Sequence, residues 1–221
     1  ITQQDHYSTL AEVNRISILP LVPNRGLIFD RHGKVLAQNY SAYALEITPS
    51  KVPDIESTLD ELAAFIEITP TDRQRFMKLM KESRRFKSLP IRNRLNEIEI
   101  ATFATNRYRF PGVEIKSRVF RQYPEKELVS HVVGYISRIN DKDLDFLELN
   151  NELNNYRGSQ HIGKIGIEQS YEKQLHGITG FEEVETDAAG RSIRVLSRTL
   201  PISGNNLILS LDFGLQEAVE K

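Results

Sequence analysis

The sequence contains no cysteine, which excludes both a disulfide framework and a thiolate metal site. It has no apolar run of about 18 residues, the length that a membrane-spanning helix needs. Its formal net charge is −1, which gives no global case for nucleic acid as a partner. It has neither an initiator methionine nor a signal peptide, and it stops inside a helical pattern, so we expect a piece of a longer chain.

The 221 residues are 39% hydrophobic and 27% charged, a globular composition that fits one large domain or two small ones. The charge is unevenly spread. Arg84–Arg121 holds ten basic residues against three acids, and Arg138–Asp187 holds five against eleven. Solvated faces of a domain are the simplest explanation, and a polarised protein–protein surface is the alternative.

The stretch His161–Arg191 predicts a glycine turn, a helix and a hairpin. Gly163 and Gly166 bracket a turn that calls for positive φ or a close backbone approach. The helix has apolar residues at i, i+4 and i+8, and Gly177 suits its carboxyl end after a basic last turn. The apolar positions are Ile167, Tyr171 and Leu175, the last-turn residue is His176, the strands are Phe181–Thr186 and Arg191–Arg198, and the turn is 187–190.

An earlier hairpin is predicted at Arg25–Ala37, where alternating apolar residues flank the turn Asp30–Gly33. Between the two hairpins, three helices are predicted. The first covers Asp54–Ile68, the second follows the N-cap Thr69, and the third opens with a capping box at 96–99. With short strands between them, these helices predict a small α/β head at about residues 52–111. The third helix is expected to face inward through Ile100, Phe103 and Ala104.

Three groups of residues resemble the motifs of the N-terminal pedestal of class B penicillin-binding proteins, most closely the elongation type. One position departs from the pattern, because Lys126 stands where the family often has glycine. The matching residues are Arg25, Gly26, Asp30, Arg31 and Gly33 in the first motif, Arg121, Tyr123, Pro124, His131, Gly134 and Tyr135 in the second, and Gly163, Gly166, Glu168, Tyr171, Leu175, Gly177 and Gly180 in the third, with Asp212 where the family's transpeptidase domain begins.

The resemblance implies an α+β fold: an elongated pedestal of β-hairpins and short helices, with a small helical α/β head inserted. It divides the chain into an N-terminal segment with the first hairpin (1–51), the head (52–111), the rest of the pedestal (112–206) and the start of a transpeptidase linker (207–221). The motif residues are expected to be structural, with Arg25, Asp30, Arg31 and Glu168 tying hairpins together. His131 is expected to be packed and hydrogen-bonded.

The implied function is to position a penicillin-sensitive, serine-type D,D-transpeptidase that cross-links peptidoglycan and maintains rod shape. The implied partners are a scaffold of the MreC type, a SEDS-type glycosyltransferase and the chain's own transpeptidase domain. The implied location is the periplasmic side of the bacterial inner membrane, held by an N-terminal helix outside this sequence. No cofactor, metal ion or nucleic acid is expected. We expect docking to use exposed apolar residues of the head between Asp54 and Phe86.

Two alternatives remain open. Ser170 and Lys173 have the Ser-x-x-Lys spacing of a self-contained serine acyltransferase or hydrolase, and Ser203–Asn205 matches the second element of such a site. The sequence has no Lys-Thr-Gly or Lys-Ser-Gly to complete it, and Ser170 lies inside the structural motif. The second alternative is a free-standing adaptor. The five histidines are dispersed and have no zinc-binding spacing.

Overall fold

The computed structural model describes residues 16–83, 87–186 and 192–220. Its mixture of helices and sheets confirms the predicted α+β class. The chain divides into two units. We call Tyr40–Phe120 the inserted unit, and Ile1–Asn39 together with Arg121–Lys221 the flanking unit. Within the described ranges, no helix is long and apolar enough to cross a membrane.

The inserted unit combines part of a long strand with a short partner strand and three helices. Strand β3 (Val35–Ile47) enters the unit and pairs antiparallel with β4 (Leu89–Arg92). Strand β5 (Val113–Gln122) also pairs with β3 and leaves the unit. The helices are α1 (Ile55–Ala63), α2 (Pro70–Glu82) and α3 (Glu97–Asn106).

Side-chain caps start all three helices, and the sequence predicts those of α2 and α3. The Asp54 carboxylate accepts from two backbone N–H groups of the first turn of α1. Thr69 with Asp72, and Asn96 with Glu99, form capping boxes at α2 and α3. Each cap supplies partners for backbone N–H groups that a helix start leaves unsatisfied.

Two predictions about these helices are wrong in detail. Helix α1 ends at Ala63 rather than Ile68. The Phe65 N–H donates to the Leu62 carbonyl three residues earlier, which tightens the last turn, and Phe65 and Ile66 pack against the core. Ala104 is exposed, whereas Phe103 beside it is buried. The core of the unit is apolar and is formed by Leu45, Ile47, Val52, Leu59, Leu62, Ile66, Phe76, Leu79, Leu89, Ile91, Leu95, Phe103, Phe110 and Val113.

The flanking unit contains two further sheets and part of the first. One is antiparallel, in the order β1–β8–β9, and a second small sheet pairs β6 with β7. Strand β2 pairs antiparallel with the start of β3 and parallel with β10. The strands are β1 (Ile16–Leu21), β2 (Ile28–Phe29), β6 (Ile136–Arg138), β7 (His161–Gly163), β8 (Gly180–Thr186), β9 (Ser192–Thr199) and β10 (Leu207–Ile208).

Short helices connect these strands, and one prediction about them needs correction. The single helix predicted through Tyr171 is two helices, because Tyr171 leaves the helical conformation at φ −111° and ψ 23°. The break leaves Tyr171 exposed, whereas Leu175 is fully buried. The helices are α4 (Ser130–Val133), α5 (Asp141–Leu149), α6 (Gly166–Ser170), α7 (Glu172–His176) and α8 (Phe213–Glu220).

The predicted hairpins are confirmed at Arg25–Ala37 and around β8 and β9. The turn predicted at 187–190 lies outside the described residues, as do residues 1–15 of the N-terminal segment. The strand predicted over Asn206–Asp212 is regular only at Leu207–Ile208. Beyond it, Leu209 donates to the Phe29 carbonyl at 2.9 Å and Leu211 accepts from Arg31 N–H at 2.9 Å, so pairing continues irregularly.

Candidate functional site: a buried ion-pair cluster

Four charged side chains meet inside the flanking unit: Arg25, Arg121, Glu168 and Glu172. We call them the ion-pair cluster. Their side chains are 11%, 2%, 0% and 14% exposed, respectively. Buried charges of this kind require partners, because moving an ion out of water costs several kcal/mol. The two guanidinium groups and two carboxylates balance one another.

Glu168 lies at the centre of the cluster, on the short helix α6. Its Oε2 accepts from Arg25 Nε at 2.7 Å, and its Oε1 accepts from Arg121 Nε at 2.8 Å. The Tyr123 hydroxyl donates to the same Oε1 at 3.3 Å, and Arg25 Nη2 also reaches the Glu168 carbonyl at 3.0 Å. One carboxylate therefore joins two arginines from distant parts of the chain.

Glu172 forms the second half of the cluster. Its carboxylate accepts from both terminal nitrogens of Arg25, at 2.5 and 3.1 Å, and from the Gly163 N–H at 2.9 Å. The Tyr156 hydroxyl donates to it at 2.7 Å. Burial opposes the charged form of Glu172, but the bonds from Arg25 outweigh it and hold its pKa below the ordinary value. Burial followed by the Glu172 charge raises the pKa of Tyr156.

The arginines also bond to the backbone and to an amide side chain. Arg121 Nη1 donates to the Gly26 carbonyl at 2.7 Å and to Asn39 Oδ1 at 2.9 Å. Asn39 Nδ2 donates to the Arg25 carbonyl at 2.5 Å. Burial opposes the charge of Arg25, yet its bonds to both glutamates raise its pKa overall. Arg121 Nη2 is a buried nitrogen that has no hydrogen-bond partner among the described residues.

The chemistry of the cluster is that of a structural tie. Every carboxylate oxygen already accepts from an arginine, and the cluster contains no nucleophile. The bonds join Arg25 to residues 143 and 147 positions later, and Arg121 to a residue 47 positions later. The cluster thus fixes which chain segments meet in the flanking unit.

Asp30 organises the first hairpin turn separately from the cluster. Its Oδ1 accepts from His32 N–H at 2.8 Å and Lys34 N–H at 2.7 Å, and its Oδ2 accepts from Phe213 N–H at 3.3 Å. Burial opposes the charge, but these backbone donors lower the Asp30 pKa overall. Gly33 completes the turn with φ at +84°.

Two predicted glycines lie where chains approach too closely for a side chain. A Cβ on Gly166 would lie 2.5 Å from the Val132 carbonyl oxygen, and one on Gly134 would lie 2.0 Å from the Ile165 carbonyl oxygen. Both residues also have positive φ. Glycine at these positions lets α4 and the start of α6 pack backbone against backbone.

Six of the predicted motif residues belong to the cluster or contact it: Arg25, Gly26, Arg121, Tyr123, Gly163 and Glu168, of which Gly163 donates to Glu172. Leu175 lies in the apolar core, and Gly177 ends α7 with φ at +84°. Gly180 is buried in β8, and Asp212 Oδ2 accepts from His32 Nε2 at 3.1 Å. Other predicted residues are exposed, namely Arg31, Pro124, His131, Tyr135 and Tyr171.

Two of these placements correct the sequence expectations. Arg31 has an exposed side chain with no ion pair in the described chain, so it does not tie hairpins together. His131 is exposed rather than packed. Glu172 belongs to the same motif stretch, whereas sequence reasoning missed Tyr156 and Asn39 as parts of the site. A glutamate four residues after Glu168 was a signal that both carboxylates face one way.

The serine site weighed as an alternative is not assembled. Lys173 is exposed and pairs with Glu152 at 3.3 Å, and in the described residues no hydrogen bond joins it to Ser170. The expected docking surface also needs correction. Across residues 54–83, the part of the expected segment that the structure describes, no large apolar side chain is exposed. The exposed ones of the inserted unit are Tyr43, Ile98, Tyr108 and Val119.

The comparison with family models matches residues 20–209 to the Penicillin-binding Protein dimerisation domain. That range includes the ion-pair cluster, the glycine contacts and the whole inserted unit. The chain belongs to the penicillin-binding protein dimerisation domain family. The predicted family is therefore confirmed.

Relatives of this dimerisation domain are peptidoglycan D,D-transpeptidases. The chain is 44% identical over 214 residues to MrdA of Escherichia coli K12, covering 97% of this chain and 34% of that protein. It is 42% identical to MrdA of Acinetobacter baumannii ATCC 19606 over 216 residues, covering 98% and 32%. The chain thus spans about a third of the length of these curated relatives.

A solved structure has a similar fold. It is the complex between penicillin-binding protein 2 and MreC from Helicobacter pylori, matched with a TM-score of 0.70 and 26% identity. The match covers 93% of this chain and 38% of that one. The fold of the dimerisation domain therefore extends over nearly the whole chain.

Proposed function

We propose that this chain is the non-catalytic pedestal of an elongation-type peptidoglycan D,D-transpeptidase. It positions a transpeptidase domain on the periplasmic side of the inner membrane and docks a scaffold of the MreC type. The longer protein cross-links peptidoglycan, supports rod shape and works with a SEDS-type glycosyltransferase. The division into segments 1–51, 52–111, 112–206 and 207–221 is part of this proposal.

One observation supports the positioning role. The charged motif residues Arg25, Arg121 and Glu168 form hydrogen bonds with one another and with Glu172. Glu168 and Glu172 are fully engaged by Arg25, Arg121 and two tyrosines. Residues arranged in this way can hold chain segments in register but cannot transfer protons or attack a substrate. The relatives' activity as D,D-transpeptidases and the similarity to the penicillin-binding protein 2 complexed with MreC support the rest.

We place the MreC-type partner on the inserted unit, around α3. Ile98 and Tyr108 are its most exposed large apolar side chains, at 78% and 84%. Tyr108 and Arg107 line an open cleft of about 570 Å³ that also includes Phe110 and Pro111. Arg107 has no carboxylate partner in the described residues. Exposed aromatic residues with arginine are typical of interface anchors.

The absence of catalysis is tested by the intact mass of the chain after incubation with a penicillin. We expect no adduct. A stoichiometric adduct that disappears in Ser170→Ala would contradict the proposal and support the serine acyltransferase alternative.

The docking surface is tested by binding to the purified MreC-type scaffold of the same bacterium, measured by biolayer interferometry. Tyr108→Ala is expected to weaken binding about tenfold, as for an aromatic anchor. Tyr171→Ala removes an exposed tyrosine from the flanking unit and serves as the matched control. Equal binding by both variants would move the partner away from α3.

A further inference from the structure

Helix α5 exposes most of its apolar side chains, which is unusual for a helix on the surface of a protein. Only Leu147 of its nine residues is buried. Phe146 and Leu149 are 59% and 83% exposed, and Leu144 and the following Leu153 are exposed as well. A surface helix normally directs its apolar stripe to the core. Here most of the apolar side chains face solvent, which is typical of an interaction surface.

Acidic side chains run along the same outer face. On a helical wheel, Asp141, Asp145 and Glu148 form a ridge with Leu144 on one side and Leu149 and Phe146 on the other. None of the three carboxylates has an ion-pair partner among the described residues. Lys142 is the single basic residue on this face. Asp143 and Glu152 do not count among these unpaired acids, because Asp143 pairs with Lys164 and Glu152 pairs with Lys173.

The stability of helix α5 explains the presence of only some of these acidic residues. Asp141 lies in the first turn, where the helix dipole favours a negative charge. Glu148 lies in the last turn, where the dipole opposes one. A carboxylate in that position with no cation beside it does not stabilise α5, nor does an exposed phenylalanine.

We propose that the outer face of α5 docks a basic amphipathic segment of a partner protein. Apolar side chains of that segment would cover Phe146, Leu149 and Leu144, and its lysines or arginines would face Asp145 and Glu148. The charge decides the occupant, because an anionic lipid surface or an acidic peptide would be repelled. This surface belongs to the flanking unit, whereas the site proposed for the MreC-type scaffold belongs to the inserted unit.

The test uses the whole chain and two fluorescent peptides with helical periodicity. One has leucine on one face and lysine elsewhere, and the other replaces every lysine with glutamate. Fluorescence anisotropy is expected to show binding of the lysine peptide alone, weakening as salt increases. The double variant Asp145→Lys with Glu148→Lys should bind it about tenfold more weakly, the effect of losing two exposed ion pairs.

Phe146→Ser with Leu149→Ser should reduce lysine-peptide binding at least as much, because the apolar contact is lost. The control variant Glu56→Lys with Glu97→Lys reverses two exposed glutamates of the inserted unit and should bind normally. Equal binding of both peptides, or an equal loss in the control, would overturn the proposal. So would sedimentation showing that the chain self-associates through α5, because a second copy would then be the occupant.

Discussion

Charged side chains lie in the interior of the flanking unit. The inserted unit has an apolar core, and Glu46 is a carboxylate that is fully buried there. Glu46 accepts from Arg118 at 2.5 Å and lies 3.7 Å from Lys116. These two cations are 38% and 40% exposed, so they reach water. In the cluster, by contrast, Arg121 is 2% exposed and has no route to solvent.

Chain connectivity accounts for this difference. The inserted unit is one continuous segment, so neighbouring elements meet readily and non-directional apolar contacts can hold them. The flanking unit is assembled from two separated segments. Directional bonds between Arg25, Arg121 and the glutamates specify which parts of those segments pair. A buried ion pair serves such specificity better than it serves net stability.

The sharpest test of this comparison removes one charge from each unit without changing side-chain volume. Glu168→Gln leaves two buried arginines without their shared carboxylate and is expected to lower the free energy of unfolding by about 3–5 kcal/mol. Glu46→Gln should cost about 1 kcal/mol, since its cations can turn to solvent. Urea unfolding followed by circular dichroism measures both. Equal losses would mean that the two buried carboxylates play the same part.

Close backbone approach offers a second contrast. Gly166→Val adds a Cβ against the Val132 carbonyl and forces a positive φ, so we expect a loss of about 3 kcal/mol. Gly112 in the inserted unit also has positive φ, but its nearest neighbour is the Lys51 Cβ at 2.7 Å. Gly112→Val should cost somewhat less, because this closest contact is longer than the 2.5 Å at Gly166 and the next one, to Val52 Cγ2 at 3.0 Å, is to a side-chain methyl group rather than to backbone. Thermal melting compares the two, and a larger shift for Gly112→Val would reverse the contrast.

The first hairpin turn should show a smaller effect. Asp30→Ala leaves the N–H groups of His32, Lys34 and Phe213 without their acceptor and is expected to cost about 2 kcal/mol. Asp54→Ala in the inserted unit removes an exposed cap and should cost about 1 kcal/mol. An unchanged melting temperature in Asp30→Ala would contradict its structural role.

The smallest expected effect is a pH dependence confined to the flanking unit. His176 is buried against Tyr156, with ring centroids 4.0 Å apart, and burial lowers its pKa below 6.5. The unfolded chain then binds the proton more readily, so stability is complete above about pH 6.5 and falls as the pH decreases through the folded-state pKa. The slope should not exceed about 1.4 kcal/mol per pH unit.

His176→Gln should remove the change of the denaturation midpoint with pH between pH 6.5 and pH 5, and it should leave the stability of the inserted unit unaffected. Glu172, whose pKa is also lowered, adds a loss of the same sign only below about pH 4.5. A slope in that interval that persists in His176→Gln would assign the effect to another group.

Local signals in the sequence predicted the parts of the fold that local chemistry determines. Thr69 and Asn96 start their helices as expected, and the hairpin turn at Gly33 follows from the sequence. The break at Tyr171 was not predictable, because apolar spacing at i and i+4 describes a continuous helix equally well. Tertiary contacts decide between the two.

The sequence predicted several residues of the candidate site, but it did not predict which groups they bond to. Arg25 and Glu168 were expected to tie segments together, whereas Tyr156 and Asn39 carried no local signal. Their roles arise from residues 16 and 82 positions away. Arg31 was misplaced for the same reason, since a charged residue in a turn points inward or outward according to neighbours that the turn itself does not specify.

The bond between Arg121 and Asn39 has a consequence for the history of such proteins. These residues stand immediately outside the first and last residues of the inserted unit, and Arg121 Nη1 holds Asn39 Oδ1 at 2.9 Å. The chain therefore departs and returns through adjacent positions that are fastened to each other. Evolution can lengthen, shorten or exchange the module between them while the surrounding framework keeps its register.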